Sequence, residues 1–289
     1  MTVSVITGCS TGIGYATALR LAEDGHHVVA TMRTPDASDL GTMAKERELD
    51  VEVRALDVND GDQVESLFAD VIASKGGVDV LVNNAGVGQP PARSDGSGGV
   101  VEETAIDDYR FVFETNFFGA MRCIKAVLPS MRERESGAIV NVTSQAGRLA
   151  MPSMSAYCAS KWALEAASES LAIEVAPFGI RVALIEPGMI LTPIWGKVDM
   201  TPPTGPYTRV RRRLGAMVLQ EMQAGSPSEE VADCIAEAIT TDSPKLRWLT
   251  GQGAERNVAN RKAMTDEELI ELWSSPNDVF FPRMFAEPN

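Results

Sequence analysis

Val3-Ser4-Val5-Ile6-Thr7-Gly8-Cys9-Ser10-Thr11-Gly12-Ile13-Gly14 is the stretch on which the reading of the fold turns. Val3–Thr7 is an apolar, β-branched run, and Gly12–Asp24 has helical character up to Gly25. A glycine-rich turn between strand and helix has a physical use. It bends tightly, lets a phosphate approach the backbone, and offers the unpaired N–H groups and positive dipole end of the helix. The spacing is Gly-x-x-x-Gly-x-Gly, which differs from the G-x-G-x-x-G fingerprint. Glycine-rich turns also arise from packing alone, so the position between a first strand and a first helix gives this one its weight.

The alternation continues outward from that turn. Val28–Met32 reads as a second strand, Ala37–Leu49 as a polar helix and Val51–Leu56 as a third strand. Asp60–Ser74 is amphipathic, with Val64, Leu67, Phe68, Val71 and Ile72 at helical spacing, and Val78–Val82 is a fourth strand. Such an order implies right-handed crossovers and a parallel sheet with helices on both faces. Near-continuous apolar strands fit a sheet buried on both sides. Gln89–Gly99 reads as a loop, followed by a long helix from about Thr104 to Arg134 with Pro129 as its point of interruption. Ala138–Thr143 is a fifth strand. Ser153 or Ser155 can cap the next helix, whose Leu164, Ala167, Leu171 and Val175 form an apolar stripe ending before Pro177-Phe178-Gly179.

Arg181–Ile185 is a sixth strand, and an irregular, proline-rich region after Glu186-Pro187-Gly188 holds a short helix around Thr208–Gln223. Ser226-Pro227-Ser228-Glu229 starts a helix running to Thr240, and Leu246–Thr250 supplies a seventh strand. A helical pattern at Asp266–Trp273 and proline-interrupted coil complete the chain. The expected architecture is α/β: a doubly wound, mostly parallel seven-stranded sheet of Rossmann type with helices on both faces. One domain over 1–289 is expected, with a substrate lid at about 190–226 and a C-terminal tail from about 251.

Composition narrows the function. A formal charge of −14 argues against nucleic-acid or anionic-membrane partners, which need a basic footprint. The only histidines, His26 and His27, sit side by side outside any ligand or triad spacing, so no metal site and no Ser-His-Asp hydrolysis is expected. Cys9, Cys123, Cys158 and Cys234 are far apart and read as reduced, mostly buried thiols. No run of 18 apolar residues appears, and the chain enters its first strand without a basic leader, so no membrane span and a cytoplasmic location are expected.

Tyr157-Cys158-Ala159-Ser160-Lys161 carries the chemistry. A tyrosine and a lysine one helical turn apart share a face, with Cβ atoms roughly 5–6 Å apart. Bringing a phenol from a pKa of about 10 to near 7 takes about 4 kcal/mol. A cation at about 4 Å in an effective dielectric of about 20 supplies that amount. Asp57-Val58 and Asn83-Asn84-Ala85-Gly86 follow strands three and four, at the carboxyl ends where open α/β sheets bind ligands. Asn116 lies inside the long helix despite poor helix propensity, and Ser144 closes strand five. Taken singly these are a cap, turn residues, a loop hydroxyl and a chance surface pair; in this order they point to a site. Strand two ends at Arg33 with no acid, and arginine there accommodates a ribose 2′-phosphate, so NADP(H) is preferred and NAD(H) possible.

Thr7-Gly-x-x-x-Gly-x-Gly14, Asn83-Asn-Ala-Gly86, Asn116, Ser144, Tyr157-x-x-x-Lys161 and Pro187-Gly188 resemble the short-chain dehydrogenase/reductase family over roughly Val3 to Thr250. The resemblance implies that Tyr157 is the general acid/base, that Lys161 lowers its pKa and holds the nicotinamide ribose, and that Ser144 polarises the substrate oxygen. Asn116 would hold a water on the proton path. Gly8, Ser10, Thr11, Gly12, Ile13 and Gly14 would line the pyrophosphate and adenosine site. Asp57 and Val58 would face adenine, Asn83, Ala85 and Gly86 the adenosine-side ribose, and Ile190 and Thr192, after Pro187-Gly188, the carboxamide.

The first turn, Ala30-Thr-Met-Arg33 and the Ser226–Ile239 helix look like the hydroxysteroid and retinol dehydrogenase branch, and Ile194, Trp195, Val198, Met200, Tyr207, Met217 and Leu219 suggest an apolar lid. The expected activity is NADP(H)-dependent interconversion of a secondary alcohol and a ketone or aldehyde on a small but bulky, apolar substrate. A homodimer or homotetramer is expected by the same resemblance. The alternatives are a non-catalytic NADP(H)-sensing regulator, against which the intact Tyr157 and Lys161 count, and an epimerase or dehydratase, for which the chain leaves little room. Arg209, Arg211, Arg212 and Arg213 are expected to form a solvated helix face rather than an anion site.

Overall fold

Alternate residues of the first strands face opposite ways, and the computed structural model, which describes residues 1–88, 99–193 and 203–286, shows both sets buried. In β1 (Val3–Thr7), β2 (His27–Met32) and β4 (Val80–Asn83), Ile6, Val28, Ala30, Met32, Val80 and Val82 point to one face. There they meet α1 (Gly12–Glu23), α2 (Leu40–Glu46) and α8 (Ser228–Thr240). Val3, Val5, Val29 and Leu81 point to the other, against α3 (Gly61–Lys75), α5 (Ala120–Glu133) and the end of α6 (Ser155–Val175). Each face excludes water with its own cluster, which is why the strands lack a polar side.

With β3 (Val51–Ala55), β5 (Gly137–Val142), β6 (Ile180–Pro187) and β7 (Arg247–Thr250), the strands run in the order β3-β2-β1-β4-β5-β6-β7. Every pairing is parallel. The expected doubly wound, seven-stranded sheet is therefore present, and its order reverses between β1 and β4, where such sheets bind ligands.

Several local expectations are corrected. The long helix breaks at Glu114–Gly119, a π-turn between α4 (Ile106–Phe113) and α5, while Pro129 sits inside α5. The polar helix shortens to a 3-10 turn at Pro35–Ala37 and to α2, which buries only Leu40 and Ala44. Neither Ser153 nor Ser155 caps α6: Met154 holds the cap position, and the Ser155 hydroxyl pairs with Tyr109 Oη at 2.6 Å. The tail holds α9 (Ala254–Ala263), α10 (Asp266–Ser274) and α11 (Asn277–Met284), two of them unanticipated. The loop expected at Gln89–Gly99, except Gly99, and the lid residues Ile194, Trp195, Val198 and Met200 lie outside the described residues.

The arginine cluster is a solvated face only in part: Arg209 and Arg212 are exposed, whereas Arg213 is buried. On α7 (Thr208–Met222), Arg213 is 2% exposed and donates to the carbonyls of Trp273 and Ser275 and to Asn277 Oδ1, with its guanidinium 4.5 Å from the Phe280 ring centre. Arg209, one turn earlier, donates to the carbonyls of Ser274 and Ser275. Together they satisfy the orphan carbonyls at the C-terminus of α10 and dock the tail on α7. Arg213→Met keeps the volume but strands those carbonyls, so urea unfolding is expected to show a loss of about 2–3 kcal/mol. A loss below about 0.5 kcal/mol would mean that the tail is held by its apolar contacts alone.

Candidate active site

The glycine turn is built by its neighbours on β4. Asn84 Nδ2 donates to the carbonyls of Thr7 (2.9 Å) and Gly8 (3.0 Å), and Thr7 Oγ1 accepts from the backbone N–H groups of Asn84 and Ala85, both at 3.0 Å. This clasp holds the two strands on either side of the switch point at one separation. It leaves no room for side chains: a Cβ on Gly14 would lie 2.4 Å from Asn84 Nδ2 and 2.5 Å from the Gly8 carbonyl oxygen. Gly8, at φ +75°, would place one 2.7 Å from Ala85 Cα. Asn84 and Thr7 are thus the scaffold of the turn, a role the sequence reading did not separate from ligand contact.

Around the cradle the expected residues fall into place unevenly. Ser10, Thr11 and Arg33 are exposed, and Ser38 Oγ donates to the Ser10 carbonyl, bringing the segment after β2 to the rim of the turn. No hydrogen bond or ion pair holds Arg33 among the described residues, so its guanidinium is available there. Ile13, in the first turn of α1, is partly buried against the core, and Thr192 lies over Gly12, where a Cβ would sit 3.2 Å from Thr192 Cγ2. Val58 is buried against Gly119 of the π-turn, and its carbonyl accepts from Arg122. Asp57 Oδ1 accepts from the Asn59 N–H, while Asp60 caps α3 by accepting from the Gln63 N–H.

Asn83 departs from expectation. Its Nδ2 donates to Asn141 Oδ1 at 2.8 Å, and Asn141 Nδ2 donates to Ser168 Oγ at 2.8 Å, so the side chain joins a buried chain running from the sheet to α6. Asn83 Oδ1 is buried without a hydrogen-bond partner among the described residues. Ala85 and Gly86 follow on the open side, and a Cβ on Gly86 would lie 3.4 Å from Asn116 Oδ1 and 3.7 Å from Lys161 Nζ.

The second half of the site sits beside this edge. The π-turn turns Asn116 inward, 1% exposed, where Oδ1 accepts from the Val87 N–H (2.8 Å) and Nδ2 donates to the Val87 carbonyl (3.0 Å) and Ser160 Oγ (3.0 Å). Both amide hydrogens are spent, which leaves one Oδ1 lone pair for a further partner. Ser144, just past β5, accepts from the Ala146 N–H at 3.1 Å, reaches the Pro187 carbonyl at 3.5 Å and is hydrogen-bonded to the Tyr157 hydroxyl. Lys161 Nζ donates to the Val142 carbonyl at 2.9 Å and stands 5.8 Å from the centre of the Tyr157 ring. Pro187 closes β6 in register with Thr250, the Gly188 N–H bonds the Thr250 carbonyl, and Ile190 is buried.

Among the described side chains, burial sets the direction of tuning. Burial pushes the Tyr157 phenol above its ordinary value, against the pull of the Ser144 hydrogen bond. Burial likewise lowers Lys161 to about 8, with the Glu165 carboxylate opposing the fall. Desolvation penalises both charged forms, and at this separation the amine does not overcome it. The phenol therefore rests protonated. His26, bonded to Ser4 Oγ, and His27, beside Asp50, lie away from the catalytic set, and no group of metal-ligating side chains occurs among the described residues. The four cysteines are free, three of them buried.

A phosphate-sized cradle on one side of the switch point and a hydroxyl–phenol–amine set on the other define a nucleotide-dependent oxidoreductase. The sequence profile of the short chain dehydrogenase family matches residues 2–202, and the chain belongs to that family. Human retinol dehydrogenase 8 is 37% identical over 85% of this chain and 80% of its own length. A short-chain dehydrogenase from Streptomyces avermitilis superposes with a TM-score of 0.79 at 36% identity, covering 94% of this chain and 96% of its own. An alcohol dehydrogenase from Thermococcus sibiricus, solved with 5-hydroxy-NADP, superposes with a TM-score of 0.71 at 26% identity over 89% of this chain and 98% of its own. Among the described residues no helix is long and apolar enough to cross a membrane.

Proposed function

We propose that this oxidoreductase uses NADP(H) to interconvert a secondary alcohol and a ketone or aldehyde on a bulky apolar substrate. The hydrogen bond between the Ser144 and Tyr157 hydroxyls beside buried Lys161 carries the proposal. Ser144 Oγ holds and polarises the substrate oxygen. Tyr157 Oη gives it a proton in reduction and takes one from the alcohol in oxidation. The resting phenol holds its proton, the state from which a carbonyl oxygen is protonated. Lys161 stabilises the phenolate when it forms, and Asn116 fixes Val87 and Ser160 around them. The nicotinamide, when bound, supplies or accepts the hydride; the chain contributes position and charge. The Gly8–Gly14 turn fits a pyrophosphate because it leads into the N-terminus of α1, whose unpaired N–H groups and dipole favour an anion, while its glycines are demanded by the close packing on Asn84 and Ala85.

Arg33, exposed just after β2 and without a partner among the described residues, supports the 2′-phosphate. Charge-assisted hydrogen bonds of this kind contribute about 1.5–3 kcal/mol. Arg33→Ala is therefore expected to weaken NADPH binding by roughly 10–100-fold in a fluorescence titration and NADH binding by less than about 2-fold. Equal losses for both cofactors would remove Arg33 from that role.

Support for an apolar substrate comes from retinol dehydrogenase 8 among the relatives. The proposal treats the chain as one domain with a lid over 190–226 and a tail from 251. Exposed Phe111, Phe118 and Trp162 on α4, the π-turn and α6 support a homodimer or homotetramer, and the free thiols support a cytoplasmic location.

A further inference from the structure

Two carboxylates are buried directly behind the reacting set. Glu165 lies one turn after Lys161 on the same face of α6 and is 4% exposed, and Glu186, next to Pro187 in β6, is 0% exposed. Glu165 Oε1 accepts from Thr143 Oγ1 at 2.6 Å, and Thr143 is the residue before Ser144. Glu165 Oε2 accepts from Arg247 Nε at 2.9 Å. The same Arg247 reaches Glu169 on α6 at 2.6 Å and Glu186 at 3.5 Å, while Arg148, after β5, holds Glu186 at 3.0 Å. The segment after Ser144 is pressed onto this stretch of helix. A Cβ on Gly147 would lie 2.9 Å from Glu165 Cγ and 3.3 Å from the Lys161 carbonyl oxygen. Burying two carboxylates is costly, and a packed apolar pair would serve stability as well or better.

We propose that Glu165 is a positioning residue for the proton-transfer pair: through Thr143 it fixes Ser144, and through its charge it keeps Lys161 an ammonium. This rests on the proton roles of Tyr157 and Lys161 given above. Two routes lead from one carboxylate to the two halves of the site: a hydrogen bond to the Thr143 hydroxyl beside Ser144, and the reach of its charge along the shared helix face to Lys161. The Glu165 carboxylate is also the group that opposes the fall of Lys161. Arg247 and Arg148 offset the mutual repulsion of Glu165 and Glu186, whose own carboxyl is held up by burial and by Glu165. The groups facing Glu165 are Lys161 and Glu169 from α6, Arg148 from the turn after β5, Glu186 from β6 and Arg247 from β7.

Tyr157 and Lys161 titrate as a pair. After one proton has left, the pair is either phenolate with ammonium or phenol with amine, and only the first accepts a proton from an alcohol. Glu165 stands one helical turn from Lys161 and two from Tyr157, so its charge favours the first form. In the pH profile of kcat/KM for alcohol oxidation, Glu165→Gln is expected to lower the plateau on the order of 10-fold. Its ascending limb moves to lower pH by about half a unit or more, because the first proton leaves Lys161 more readily. Glu165→Asp keeps the charge and returns the limb to its wild-type position. Thr143→Val keeps the charge and loses the hydroxyl, so its plateau falls while its limb stays.

A Glu165→Gln limb at the wild-type pH or above it overturns the inference, whatever the plateau. Should that variant not fold, Arg247→Gln, which removes the opposing cation, carries the test with the opposite sign, its limb moving to higher pH; an unmoved limb overturns the inference. Tyr157→Phe in the same assay separates the two levels. Full activity there removes the proton roles themselves, whereas an inactive Tyr157→Phe with coincident limbs removes only Glu165.

Discussion

Tyr157→Phe is expected to lower kcat/KM in both directions on the order of 10³-fold, within the range that a positioned general acid or base supplies. The substitution removes one oxygen and keeps the ring, so the packing of α6 is retained. The oxygen's partner Ser144 keeps its contacts with the Ala146 N–H and the Pro187 carbonyl. Cofactor affinity is expected to change by less than about 3-fold, since the phosphate cradle lies on the other side of the switch point. The checks are steady-state rates with a carbonyl and with an alcohol, beside a cofactor titration of the same preparation. Unchanged turnover would sink the assignment of the proton to Tyr157 Oη.

The second large effect runs in two directions at once. Lys161→Met is expected to reduce turnover by about 100-fold or more while making the unliganded fold more stable. The ammonium is 5% exposed, and its fall from 10.5 to about 8 corresponds to roughly 3 kcal/mol spent on keeping it charged in the interior. Methionine abolishes that cost but leaves the Val142 carbonyl without its donor, which returns about 1–2 kcal/mol. A net gain of about 1–2 kcal/mol is expected at pH 7.

The sign with pH follows from linkage. Below about 8 the lysine is protonated in both folded and unfolded chains and its full cost is present. Between there and 10.5 the unfolded chain binds more protons, so wild-type stability rises with pH and the advantage of the variant disappears. Urea midpoints of the two proteins at pH 7 and pH 10 measure this directly. A variant less stable than wild type at pH 7 would show that the lysine's contacts outweigh its desolvation.

How much of this was legible in the sequence depended on whether the signal was local. The sheet was readable because strands buried on both faces are near-continuously apolar, and Val3–Thr7, Val28–Met32 and Val78–Val82 are so but for Ser4, Thr7, Thr31 and Asp79. The π-turn was not, since its traces, Thr115, Asn116 and Gly119, are poor helix formers that an ordinary helix also tolerates. The catalytic set was readable through spacing, but its electrostatic balance was not, because burial of Tyr157 and Lys161 is a property of the assembled site. Arg213 was misread for the same reason: the carbonyls it satisfies lie about 60 residues later in the chain. Glu165 and Glu186 did leave a signal, a charge among Leu164 and Leu171 and another ending an apolar strand.

The clasp between Thr7 and Asn84 also sets an order of events. Its two ends are 77 positions apart in the chain, so the phosphate cradle cannot be finished by the first strand, turn and helix alone. During synthesis the glycine turn emerges early yet stays without its bracing until β4 has been made and threaded in beside β1. Closing so long a loop is among the slower steps available to a chain, because its entropy is lost before the contacts are gained. Competence to bind a dinucleotide is thus a late acquisition in the life of the molecule, withheld until both halves of the sheet have met.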